Sequence, residues 1–138
     1  MPGPGVFGAN PYVSKRAVAG RIVAVLRGVT DQRGLSLTAF RSRAAPRWQI
    51  HELMLTDEAA ELETTVNRVA LLAFFEVEVG GVLLVGDRVT SGARELGSLA
   101  GFNDTHMPNH QNICLISKEL CDGATLGLEV GDELRFAR

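Results

Sequence analysis

The stretch "GFNDTHMPNH", residues 101–110, holds two of the chain's three histidines, His106 and His110, with Asp104, Thr105 and Asn109 between or beside them. Asn112 follows closely, and the third histidine, His51, stands next to Glu52 in "RWQIHEL", 47–53. Imidazole titrates near neutral pH, so His106, His110 and His51 can serve as general acids or bases, with Asp104 or Glu52 holding a ring tautomer. The same types also ligate metals: His51, His106 and His110 would make an open site for a divalent ion, zinc or iron. Thr105, Asn109 and Asn112 would hydrogen-bond a substrate and Trp48 would wall it. Arg47, in the basic run "RSRAAPR", 41–47, would grip an anionic group. His106 and His110 have helical i,i+4 spacing, but Pro108 lies between them, so a loop must carry both. Structural roles stay open as well: Asp104-Thr105 can cap a turn, and Pro108-Asn109 is a common turn dipeptide.

Short β-prone segments must position these residues. "AGRIVAVLR" (19–27), "GLSLTAF" (34–40) and "RWQIHELML" (47–55) read as the first strands. "RVALLAFFEVEV", 68–79, is long enough for one bent strand. Gly80-Gly81 signals a hairpin into "VLLVGDRVT" (82–90), and Ser91-Gly92 another into "RELGSLAGF" (94–102). "NICLIS" (112–117) and the ending "LGLEVGDELRF" (126–136) complete the set. "TDEAAELE", 56–63, and "SKEL", 117–120, have the caps and side chains of short helical turns. The pattern predicts a mainly β fold, a small closed barrel of about six to eight strands with one or two helical turns. Residues 1–17, rich in Pro, Gly and Asn, read as a flexible N-terminal arm, and residues 18–138 as a single barrel domain.

Composition narrows the function classes. Hydrophobic residues make up 46% and charged residues 22% of 138, the balance of a globular domain rather than a disordered chain. No apolar run reaches the roughly 18–20 residues of a membrane helix, and "MPGPGVFGANPYVSKR" lacks the order of a secretory signal, so a cytoplasmic protein is expected. Cys114 and Cys121 fit no metal spacing and read as reduced thiols. Through Trp48 the chain carries eight Lys/Arg against one acid, Asp31; thereafter it carries six against fifteen. Two parts of opposite charge are expected to fold together and neutralise. With an acidic second part and few aromatics for stacking, nucleic acid is not an expected partner. A small-molecule substrate is, and a homodimer is allowed.

The C-terminal half, with "THMPNHQNICLI" leading into "LGLEVGDELRF", resembles the second half of the archaeal CTP-dependent riboflavin kinases, small cradle-loop barrels. In the second element Leu128 would plug the core, Gly131 would turn at positive φ and Asp132 would accept backbone N–H groups. The resemblance implies a barrel whose strand start near residue 49 and connection near residue 106 face one cavity mouth. It also implies nucleotide-dependent kinase activity. Yet the family's glycine-rich phosphate turn corresponds here to "VAVLRGV", 23–29, with Gly28 alone; the glycines of "GPGVFG", 3–8, precede the first strand. Gln49 and His51 stand near the places of that family's metal-binding Thr and Asn. "HEL" and the pattern GFxxTHxPNHxN also resemble a bacterial family that supplies no activity. The expected function is a small enzyme acting on an anionic or carbonyl-bearing metabolite by histidine acid–base chemistry, as in isomerisation, elimination or cyclisation. A metal-dependent enzyme, a non-catalytic ligand- or nucleic-acid-binding barrel and a nucleotide-dependent kinase are the alternatives.

Overall fold

Alternation of apolar and polar side chains decides which residues face inward, and the strands follow it. The structure, a computed structural model, describes residues 10–138. Its strands are β1 (Val18–Val25), β2 (Val29–Thr30), β3 (Leu35–Ser36), β4 (Ser42–Ala45), β5 (Ile50–Thr56) and β6 (Thr65–Val66), then β7 (Val69–Val79), β8 (Gly81–Leu84), β9 (Arg88–Ser91), β10 (Arg94–Asn103), β11 (Asn112–Ile116) and β12 (Glu133–Ala137). One four-residue helix, α1 (Gly123–Leu126), precedes β12. The fold is mainly β, and seven strands close a ring in the order β1-β12-β9-β10-β11-β5-β7, with β7 returning to β1. Closure leaves the ring strands no free edge. All its pairings are antiparallel except β5–β11, which run parallel with Glu52 opposite Asn112.

The ring interior is filled by Ile22, Leu53, Leu55, Phe75, Phe102, Ile113, Leu115 and Phe136. A second cluster lies on the other face of β5 and β11, where Leu35, Leu37 and Val66 cover Met54 and Cys114. Because both its faces are covered, β5 is buried from His51 to Thr56, and its adjacent residues serve opposite faces. Burial pushes the Cys114 thiol up to about 12, so it stays protonated.

Several expected elements differ. Residues 56–63 are not helical: Thr56 Oγ1 donates to Arg68 O (2.6 Å) and accepts from Glu58 N, and the Glu58 carboxylate accepts from the Asn67 and Arg68 N–H groups. The capping side chains serve the return into β7 instead. Residues 117–120 are not helical either. The helical turn starts after Asp122, whose carboxylate accepts from Gly28 N and Thr125 N, both at 2.8 Å. Those N–H groups hold its carboxyl below the usual range. Gly80-Gly81 makes no β7–β8 hairpin, since β8 pairs with β4. A Cβ at Gly80 would come within 2.9 Å of Ala45 O, so the glycine admits the close approach of β4. "GLSLTAF" yields only the two-residue β3, and "VLLVGDRVT" splits into β8 and β9 around a turn.

The two halves of opposite charge do meet. Arg21 pairs with Glu78 (3.2 Å) and Glu133 (3.9 Å), and Lys15 pairs with Asp87 at 3.0 Å. Residues 1–9 of the expected arm, including "GPGVFG", lie outside the described residues. Residues 10–17 are fastened to the barrel: Tyr12 OH bonds Ser42 Oγ (2.8 Å), Arg138 donates to Tyr12 O (2.7 Å), and Lys15 reaches Asp87. No helix of the described residues is long and apolar enough to cross a membrane.

Candidate metal centre

Glu52, His106 and His110 come together where β10 ends and β5 and β11 begin. One ligating atom from each lies within 4.8 Å of the others. Glu52 is buried and His110 half-buried, while His106 is exposed, which leaves the cluster open on one side. His110 Nε2 is buried, has no hydrogen-bond partner among the described residues and stands 3.6 Å from Glu52 Oε1. That is too long for a hydrogen bond. It is close to the roughly 3.0–3.5 Å that separates two donors each about 2.1 Å from one ion.

The surroundings fix the rings. Phe74, opposite Glu52 on β7, meets the His110 ring edge-on at 5.0 Å. The Asn109 side-chain amide lies 2.8 Å from His110 Nδ1. Asn109 Nδ2 donates to Nδ1, so the ring proton sits on Nε2 and faces Glu52; an ion bound there would displace it. His106 Nδ1 sits 3.2 Å from the Asn112 Nδ2 atom, and the two imidazoles stack obliquely at 4.9 Å. Burial raises the Glu52 carboxyl above its usual range, against the opposing charges of His110, Arg33 and His106.

The expected metal set is therefore altered. His51 belongs to the inner face of β5, beside Phe75, and is not in the cluster; Glu52, its neighbour on the opposite face, takes the third place. His51 Nδ1 accepts from Gln111 N–H (2.9 Å), so Nε2–H donates to Gln49 Oε1 (3.0 Å). Glu52 N–H in turn donates to Gln111 O (3.0 Å), and the two bonds anchor the residue following His110 to β5. His51 is thus a positioning residue. Burial, then the charges of Arg43 and His110, lower its pKa to about 4.

An acid-dependent stability follows. From 6.5, the ordinary value, down to about 4, the unfolded chain binds a proton at His51 that the folded chain refuses. Stability from this source is complete above pH 6.5 and falls as the pH drops through that window, by up to about 3 kcal/mol. Urea unfolding of chelated protein at pH 7.5 and 4.5 measures it. His51→Asn, which keeps an acceptor for Gln111 N–H, is expected to show the smaller decline.

The remaining expected residues separate into two groups. Asp104 and Asn112 stay with the cluster's support: Asp104 Oδ1 accepts from Gln111 Nε2 (2.6 Å), and Asn112 Nδ2 donates to Asn103 Oδ1 (3.0 Å). Thr105 is exposed and gives its N–H to Asn103 Oδ1 (3.1 Å). Trp48 and Arg47 are not brought to the cluster. They form an exposed turn in which the Arg47 guanidinium lies 4.2 Å over the Trp48 ring, beside Ala44 to Pro46 and Gly80. Sequence reasoning missed Gln111 and Phe74. The Asn103 side chain, which also donates to Ser36 O (2.7 Å), ties the loop to the covering layer.

A model of the family described as "Family of unknown function (DUF6917)" matches residues 12–137. No curated protein and no solved structure matches the chain.

Proposed function

Because the chain belongs to this family of unknown function, DUF6917, we propose its function from the site alone: a metal-dependent enzyme acting on a small anionic or carbonyl-bearing metabolite. The observation that carries the reading is the convergence of Glu52, His106 and His110, with His110 Nε2 buried, unpartnered among the described residues and facing Glu52. Two imidazoles and one carboxylate with open positions suit zinc or iron(II). A divalent ion held there would polarise a carbonyl or activate a water. Asn109 and Asn112 would orient the two rings, and Phe74 would exclude water from one side of His110. A cytoplasmic setting belongs to this reading.

A second reading uses the same side chains without an ion. Glu52, raised by burial, and His110 at 3.6 Å would exchange a proton with a substrate, as in isomerisation, elimination or cyclisation. One experiment separates them. Protein purified without a polyhistidine tag is chelated, dialysed and titrated with zinc, iron(II), manganese and cobalt(II). The metal reading expects one ion per chain and a cobalt d–d spectrum of nitrogen and oxygen ligation. Failure of all four to bind stoichiometrically removes it and leaves acid–base chemistry.

A further inference from the structure

A second set of polar groups lines a cavity that includes Asp104 but none of Glu52, His106 and His110. The cavity holds about 360 Å³, toward the lower end of the roughly 300–1,000 Å³ of small-molecule sites. Arg43, on β4, lines it. Among the described residues its buried Nε has no hydrogen-bond partner and no carboxylate pairs with its guanidinium. Its Nη2 donates to Met107 Sδ, at 3.7 Å, a weak acceptor. A buried guanidinium nitrogen without an acceptor is costly, and a planar two-oxygen anion is the group that fits its fork.

The rest of the lining narrows the ligand. Phe40 and Phe102 supply apolar walls, and Phe40 is 67% exposed among the described residues. Asp104 stands in the same cavity with only Oδ1 engaged, by Gln111. A fixed negative charge there disfavours phosphate esters and other polyanions, and it offers an acceptor to a hydroxyl or ammonium group.

We propose that this cavity binds a small carboxylic acid with an apolar or aromatic body, its carboxylate on Arg43 and a hydrogen-bond donor at its far end on Asp104. The site shares the 104–110 loop with the Glu52–His106–His110 cluster but does not depend on an ion there. Its anion grip is Arg43, four residues before the Arg47 of the same basic run.

Saturation-transfer NMR and calorimetry on chelated protein test the assignment with four probes: 4-hydroxyphenylacetate, phenylacetate, phenyl phosphate and benzyl alcohol. The expected result is one-to-one binding of 4-hydroxyphenylacetate, tighter than phenylacetate and than phenyl phosphate, with benzyl alcohol weakest. Arg43→Gln is expected to weaken it at least tenfold, Arg43→Lys less, with thermal unfolding verifying that both variants fold. Asp104→Asn should level the two carboxylates. The proposal is overturned if no carboxylate binds at millimolar concentration, if phenyl phosphate binds tightest, or if folded Arg43→Gln binds as well as the parent. Because the protein is metal-free, each of these results is independent of the metal titration.

Discussion

His110→Ala is expected to weaken metal binding by more than about 100-fold, beyond the roughly 10–100-fold that loss of an outer hydrogen bond costs a site. The imidazole is the half-buried member of the cluster, and its Nε2 points at Glu52 Oε1 from 3.6 Å. On the proposed metal reading alanine removes one of the three donors, and Phe74 beside it offers none. Glu52→Gln is expected to act comparably, since the amide contributes no charge to a dication. Asn109→Ala should fall in the 10–100-fold range, because it frees the orientation of the His110 ring without removing one of the three donors. His51→Asn should keep one ion per chain. Calorimetric titration with zinc, checked by cobalt(II) absorption, orders the four variants. An equal loss from His51→Asn and His110→Ala would overturn the assignment of Glu52 as the third ligand.

Lys15→Met is expected to cost about 3–5 kcal/mol, the range found when one partner of a buried ion pair is removed. The Lys15 and Asp87 side chains are 6% and 0% exposed and 3.0 Å apart. Asp87 Oδ2 also accepts from Leu84 N–H (3.0 Å), but Oδ1 is buried without a partner among the described residues, so the ammonium is the principal compensation for that charge. The double variant Lys15→Met/Asp87→Asn should regain a substantial part of the loss, because a neutral amide needs no counter-charge. Urea unfolding gives both values. A single-variant loss below about 1 kcal/mol, the worth of an exposed pair, would show that the carboxylate is solvated or protonated.

Features encoded within a few residues were legible in the sequence. The apolar run 68–79 becomes β7, Val69–Val79, and Ser91-Gly92 turns β9 into β10. In "LGLEVGDELRF" Leu128 is in the core, Gly131 has φ 96° and Asp132 accepts from Glu129 N–H (2.9 Å), as the turn chemistry requires. Features set by distant partners were not legible. Nothing local in "SKR" shows that Lys15 will meet Asp87, and nothing in Gly80-Gly81 shows that β8 will leave for β4. The site falls between these cases. The crowding of His106 and His110 was readable, and a period of two says that His51 and Glu52 must face apart. Which of them meets the loop depends on the Leu35, Leu37 and Val66 layer, whose strands β3 and β6 are two residues each. Asp104 and Arg43 carry an analogous lesson: both lie in conspicuous polar runs, but only the fold puts them around one cavity.

The parallel β5–β11 pair has a kinetic consequence. β9, β10 and β11 are joined by connections of two and eight residues, so their hairpins can zip in microseconds. Joining Glu52 to Asn112 instead requires the whole intervening chain to close on itself, an entropic cost that local contacts do not repay. Early in folding, His106 and His110 would sit on a completed hairpin with no carboxylate opposite them. Glu52 arrives only when β11 docks on β5 and the ring shuts. Uptake of an ion during refolding would therefore time the final closure of the barrel, and backbone amides of β5 and β11 should gain protection in step with it.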